Sequence, residues 1–283
     1  MSTVPVSLPA ISAVLPTYNR CTALKVTLPG FLRLRGLAQL VIVDDGSTDA
    51  TRTYLSTLQD RRVSVVRHTE NLGSPRARMT GVRASTSEWI LMLDDDCAVP
   101  PDYGETLWRV ATDRHADVVG APWIHAPATR IQSEVAKRRQ RAVSRLTLST
   151  PAGTFPNRDI ITPLLPTMAL IHRPVFDVVA FDPGYRGNSW REETAFFIEA
   201  TRAGFRCILT PSTYYFQAGE WPGGQHGSRL AYECWATYNN LRFLSKHGRY
   251  LSSAGYASPP VVEAAHFVLS RVSLPLRAWW SRR

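Results

Sequence analysis

The stretch Val41-Ile42-Val43-Asp44-Asp45-Gly46-Ser47-Thr48-Asp49 decides the fold. The apolar run it belongs to, residues 40–43, is short and β-branched, as a buried parallel strand is. It breaks into two carboxylates and a glycine. A hydroxyl followed by an acid then predicts a helix start at Gly46-Ser47-Thr48-Asp49. Residues 11–15, 63–66, 89–93 and 118–121 are runs of the same kind, separated by segments long enough for helices. One of these opens at Ser74-Pro75-Arg76, a cap before a proline at the first helical position. The alternation predicts an α/β fold: an open, mostly parallel, Rossmann-like sheet with helices on both faces.

Beyond residue 125 the rhythm changes. Residues 130–148 are basic and read as a helix; residues 149–166 hold four prolines and read as loop. Strands are expected at 168–171 and 207–209. Ser189-Trp190-Arg191-Glu192 has capping-box spacing and predicts a helix ending at Gly204. Another is expected over 228–247, between Ser228 and Gly248. From Ser258-Pro259 onward the chain is amphipathic, and Pro275 is expected to kink or divide any helix there.

With 283 residues, 44% apolar and 20% charged, collagen-like, disordered and coiled-coil classes are excluded. Cys21, Cys97, Cys207 and Cys234 form no C-x-x-C pair, which argues against a structural zinc or disulfide framework and fits a reducing cytoplasm. No run of 18 apolar residues suggests a spanning helix, and no basic residue precedes Arg20 to make a signal-peptide n-region. The net charge of +10 is concentrated. Residues 130–146 carry six Lys/Arg against one Glu, and residues 229–283 carry eight against two. Such segments suit an anionic partner, whether phosphate-bearing substrate, membrane or nucleic acid; solvated surface is the plain alternative. Nucleic acid is disfavoured, because the basic residues avoid the sheet edge and no recognised motif is present.

Ligands of open α/β sheets bind at the carboxyl ends of the strands. Pro16-Thr17-Tyr18-Asn19, Asp44-Asp45-Gly46-Ser47 and Asp94-Asp95-Asp96 fall there. Five carboxylates along one edge call for a hard divalent cation. Strand alternation would turn Asp94 and Asp96 to the same side.

Together these elements resemble a family 2 glycosyltransferase with the GT-A nucleotide-sugar fold. The matching residues are Val14-Leu15-Pro16-Thr17-Tyr18-Asn19-Arg20, the stretch 41–49, Glu70-Asn71-Leu72-Gly73 with Ala77-Arg78, and Leu93-Asp94-Asp95-Asp96 with Pro101-Asp102. The last element is Glu192-Glu193 in a helix ending Arg202-Ala203-Gly204-Phe205. The resemblance implies a GT-A domain over 1–215, with a nucleotide-binding half (10–125) and an acceptor-binding half (126–215). Residues 216–283 would form a C-terminal helical extension.

The resemblance also implies roles. Asp45 would read the nucleotide base, in a pocket lined by Pro16, Thr17 and Tyr18. Asp96 and Asp94 would hold Mg²⁺ or Mn²⁺ on the diphosphate, and Asp95 or Asp94 would reach the ribose. Arg78, with Arg76, would add positive potential. Glu193 would be the general base of an inverting transfer from a nucleotide diphosphate sugar to an acceptor hydroxyl. Glu192 would lie on the acceptor side or simply cap its helix. The sequence departs from the family pattern at Glu193, where Asp is commoner, at Met79 in place of Asn, and at Gln217, where many members have a metal-binding His; the nearest here is His226. The alternative is a metal-dependent nucleotidyltransferase or phosphohydrolase on a similar sheet, which would need neither Glu193 nor the long segment after 125. Family members often act on lipid-linked or cell-envelope acceptors. In the tail, Val261, Val262, Ala265, Val268, Leu269, Val272, Leu276, Trp279 and Trp280 recur near Arg271, Arg277, Arg282 and Arg283. That pattern suits either a packed terminal helix or a peripheral contact with the inner face of the membrane, with the protein in the cytoplasm.

Overall fold

The computed structural model describes residues 8–126, 128–217 and 228–280, with backbone alone at 128 and 272–280. In chain order the elements begin β1 (Ile11–Thr17), α1 (Cys21–Phe31), β2 (Leu37–Asp44), α2 (Thr51–Ser56), β3 (Val63–Arg67), α3 (Ser74–Ala84) and β4 (Trp89–Met92). Then come β5 (Cys97–Ala98), α4 (Tyr103–Arg114), β6 (Val118–Gly120), β7 (Trp123–Ile124), α5 (Ile131–Gln140), β8 (Ile160–Ile161) and β9 (Leu170–His172). The rest are α6 (Val175–Val178), α7 (Glu192–Arg202), β10 (Cys207–Leu209), β11 (Tyr215–Gln217), α8 (Arg229–Ser253) and α9 (Pro260–Trp280).

The main sheet runs β3-β2-β1-β4-β9-β6-β10-β8. β1 pairs in parallel with β2 and β4, β2 with β3, and β6 with β10. Only β9, inserted between β4 and β6, and β8 at the edge run against the rest. The expected, mostly parallel sheet is present. Its central strands are mostly apolar because both faces are covered. Alternation sorts their side chains: Ala13, Leu15 and Leu91 join a core with Leu24, Phe31 and Leu107 of α1 and α4. Val14, Ile90 and Met92 join the other, with Val82, Phe196 and Phe197 of α3 and α7. Gly81 lets α3 lie close on β1, where a Cβ would collide with Val14.

Several boundaries differ from expectation. α2 begins at Thr51 rather than near Ser47, because the polar groups there bond elsewhere. Ser47 Oγ accepts from Asn19 N–H at 2.9 Å, and Asp49 accepts from Thr51 N–H at 2.9 Å. Ser74 is the first residue of α3 and not its cap; Gly73 takes that place with φ 89°, and Pro75 lies in the first turn as expected. The capping box at Ser189 is absent. α7 starts from Arg191 in a left-handed conformation, φ 71°, and ends just before Gly204, φ 94°, as expected. α5 stops at Gln140, and β8 lies within the stretch read as loop. α8, capped by Ser228 as expected, continues through Gly248 to Ser253. Gly248 there is a contact point, where a Cβ would press on Pro260. α9 runs undivided across Pro275. A second sheet, β5-β11-β7, was not anticipated, since two or three residues carry no period.

Three of the six cations in the basic run 130–146 bond to the protein itself, while Arg130, Lys137 and Arg141 are exposed. Arg138 bonds Glu134 and the carbonyls of Ala152 and Gly153; Arg139 reaches the Pro211 carbonyl; Arg145 reaches those of Ala254 and Gly255. Among the described residues no helix is long and apolar enough to cross a membrane.

Candidate active site

Two adjoining pockets open at the carboxyl edge of the sheet, of about 260 and about 600 Å³. Pro16, Thr17, Tyr18, Asp45, Arg78, Asp94, Asp95, Asp96, Glu192 and Glu193 all border the smaller one. The larger is walled by the loops 146–154, 164–167 and 188–191 and shares Asp94, Asp96 and Glu193 with the smaller. Glu192 borders the smaller pocket only.

The two carboxylates ending β2 have different tasks. Asp44 is buried; it accepts from Ser47 N–H at 2.9 Å and pairs with Arg67. Asp45 Oδ1 accepts from Leu72 N–H at 2.9 Å and from His68 Nδ1–H at 2.7 Å, while Oδ2 accepts from Gly73 N–H at 2.8 Å. A carboxylate has about four lone-pair sites, so Oδ2 keeps one for a ligand N–H.

At the end of β4, Asp95 turns away from its neighbours and accepts from Thr17 Oγ1 at 2.7 Å. Burial, with Asp96 adding, pushes its carboxyl up to about 7. Asp94 and Asp96 border both pockets from the turn that follows β4, where Cys97 N–H donates to the Asp94 carbonyl; the expected strand alternation stops at Met92. Burial and the Asp94 charge raise the Asp96 carboxyl, and Arg20 opposes this only from 4.0 Å. A cation would relieve the negative charge that Arg20 and Arg78 offset only in part. Among the described residues no group of three or more His, Cys, Asp or Glu side chains could hold a metal alone. The pair nonetheless suits Mg²⁺ or Mn²⁺, since such ions commonly take one or two carboxylates plus substrate phosphates and water. His226 lies outside the described residues. Gln217, in the place of the family's histidine, borders the larger pocket and bonds His125 at 2.8 Å.

Arg78 is buried between the acidic strand end and α7. Its Nη2 donates to Asp94 at 2.7 Å, and its Nε lies 3.3 Å from Glu192. Burial pushes Glu192 up to about 8, with Arg78 opposing. Burial also raises Glu193 above the usual carboxylate range. Arg76, expected to help Arg78, is exposed and borders neither pocket.

Sequence reasoning gave no part in the site to Arg20, His68, Thr167, Asn188 or Ser189, although Ser189 was expected to cap α7. Arg20 closes the matching stretch Val14–Arg20 and could have been found by that adjacency. Thr167, Asn188 and Ser189 border both pockets but come from irregular chain with no local signal. The loop before α7 takes its shape from α8. Asn239 bonds both backbone groups of Arg186, at 3.1 and 2.7 Å, and Gly187, φ 59°, lies where a Cβ would strike Trp235. From α9, Arg271 lies over the Trp190 ring at 5.0 Å and pairs with Glu233 at 2.6 Å.

Known proteins resemble the chain in sequence and in fold. It is 33% identical over 115 residues to the uncharacterized glycosyltransferase YaiP of Escherichia coli, a match covering 39% of this chain and 28% of that protein. It is 25% identical over 204 residues to the glycosyltransferase GlyG of Streptococcus pneumoniae, covering 69% and 67% respectively. The chain thus spans under a third of the length of YaiP and about two thirds of GlyG. In fold it resembles the mannosyltransferase PcManGT of Pyrobaculum calidifontis, solved with GDP-Man and Mn²⁺, at TM-score 0.62 and 19% identity over 97% of this chain and 84% of that one. The model of glycosyl transferase family 2 matches residues 12–179, more than half the sequence. With a GT-A sheet and a two-pocket acidic edge behind that match, the chain belongs to glycosyltransferase family 2.

Proposed function

We propose that the protein is an inverting transferase that moves a sugar from a nucleotide diphosphate sugar to an acceptor hydroxyl, with Glu193 as general base. The observation that carries this is that Glu193 and the pair Asp94 and Asp96 border both pockets. The smaller pocket takes the nucleotide. Asp45 Oδ2 accepts from the base, Pro16, Thr17 and Tyr18 line its ring, and Asp94 or Asp95 reaches the ribose. The larger pocket takes the acceptor. Glu193, desolvated and so more basic than a free carboxylate, takes the acceptor proton as the new C–O bond forms. The bond to the diphosphate breaks on the opposite face of the sugar, and the electron pair leaves with the phosphate. Arg78 holds Asp94 in place. A divalent cation, Mg²⁺ or Mn²⁺, held by Asp96 and Asp94 would supply charge neutralisation on the leaving diphosphate. The Mn²⁺ and GDP-Man of PcManGT support a metal and a nucleotide sugar here.

Residues 1–215 are the catalytic domain in this reading, and 216–283 are an extension braced against it. The acceptor is a lipid-linked or cell-envelope glycan. The C-terminal segment makes a peripheral contact with the inner face of the membrane, with the enzyme in the cytoplasm.

The test is a screen of the full chain against nucleoside diphosphate sugars, read by calorimetry and by metal-dependent donor hydrolysis. One sugar nucleotide should bind and be hydrolysed slowly without acceptor. Absence of binding to any nucleoside diphosphate would overturn the reading.

A further inference from the structure

α8 is 25 residues long and buries only one side. On the other, Leu230, Trp235, Tyr238 and Leu241 are 75%, 37%, 44% and 47% exposed. Spacings of three and four keep Leu230, Cys234, Tyr238 and Leu241 along one stripe, about 16 Å long at 1.5 Å per residue, with Trp235 at its border. Exposed Arg229 and Arg249 stand towards its ends. Apolar and aromatic residues flanked by arginine are the composition of a helix lying in a bilayer interface.

The charge on this helix pair discriminates between occupants. Residues 229–271 contain two carboxylates, and both are engaged within the protein. Glu233 pairs with Arg271 at 2.6 Å, and Glu263 accepts from Ser258 N–H at 2.9 Å. The exposed positions of α8 carry none. A second copy of the chain would set arginine against arginine, which electrostatic complementarity disfavours. An anionic lipid surface meets the same face favourably.

We propose that the outward face of α8 docks the protein on an anionic bilayer. The proposal deepens the peripheral-membrane reading above, and rests on it, but assigns the contact to α8 rather than to the tail from Ser258 onward. Trp235 connects this face to the site, because it packs over Gly187, directly before the Asn188–Trp190 wall of the larger pocket. Docking through α8 therefore brings that wall towards the headgroups.

The experiment is sedimentation of the full chain with vesicles of phosphatidylglycerol and phosphatidylcholine, against vesicles of phosphatidylcholine alone. Binding should need the anionic lipid and weaken as salt rises, since exposed charges are screened over about 8–10 Å at physiological ionic strength. The triple variant Leu230→Ser, Tyr238→Ser, Leu241→Ser should partition about tenfold less or lower. Arg229→Glu with Arg249→Glu, at exposed positions that leave packing alone, should also lose binding and serves if the triple variant does not fold. Parent-like binding by either folded variant overturns the proposal. If removal of 258–283 abolishes binding while the α8 variants retain it, the tail reading stands and this one fails. If the parent ignores anionic vesicles, both fail. A parent dimer that the triple variant converts to monomer assigns the face to a second copy and overturns the proposal as well.

Discussion

Arg78 and Glu192 lie 3.3 Å apart, both almost fully buried, in a junction that joins the end of β4 to the start of α7. The same guanidinium holds Asp94, so one cation restrains carboxylates from two distant parts of the chain. Its Nη1 is buried with no hydrogen-bond partner among the described residues.

Replacing that cation exposes the cost of the arrangement. Arg78→Met leaves the Asp94 carboxylate without its guanidinium partner beside the buried Glu192, and should lower stability by about 3 kcal/mol. Urea unfolding measures this. Adding Asp94→Asn should restore part of the loss, because the unpaired charge is then removed; an additive double variant would show that the pair is not coupled.

Glu193→Gln should reduce turnover by roughly 10²–10⁴-fold while leaving nucleotide affinity near that of the parent, since the base acts on the acceptor. Steady-state kinetics and calorimetry separate the two effects. If Glu192→Gln loses turnover in this way and Glu193→Gln does not, the roles of the pair are reversed.

Asp96→Asn keeps the side-chain volume and removes one anionic oxygen. It should abolish most activity and weaken metal-dependent binding of a nucleoside diphosphate, leaving the unfolding midpoint near the parent's. The parent should fall silent in EDTA and recover with Mn²⁺ or Mg²⁺. Full activity in EDTA rejects the metal.

Asp45→Ala should have two consequences at once. Nucleoside diphosphate affinity should fall even without metal, because the proposed contact is to the base. Stability should also fall by about 1–3 kcal/mol, because the Leu72 N–H loses its acceptor and the Gly73 N–H keeps only Asn71 Oδ1. Unchanged affinity in a folded variant rejects the base-reading role.

Asp182 provides a pH test away from the site. Burial acts to raise its carboxyl, yet Lys246, the Gly184 N–H and Arg242 pull it down to about 2 from an ordinary 3.8. A depressed carboxylate stabilises the fold above the unfolded value, and that stabilisation is lost as pH falls through the folded one. The difference in stability between the parent and Asp182→Asn should therefore be constant above about pH 4 and vanish as pH falls towards 2. Denaturant titrations across that range measure it; a difference that grows on acidification contradicts the pairing.

By itself, the sequence determined the elements whose cause is local. Residues 40–43 and 89–93 are apolar without interruption because both faces of their strands are covered, and a run of that kind is legible from residue type alone. The acidic groups behind them were legible for the same reason: a strand's end fixes which edge of the sheet its next residues occupy. Tertiary structure alone decided what each of those groups meets. Asp44 and Asp45 are neighbours in sequence, yet Arg67 and the Ser47 N–H engage one while the other borders the pocket. Glu192 faces Arg78 instead of capping its own helix. The bend through Ser189 and Arg191, both at positive φ, comes before a helix supported from about 50 residues away by Asn239 and Trp235. Periodicity reports how much of a side chain is buried. The partner it finds depends on elements far along the chain, whose approach is set by packing that no local pattern records.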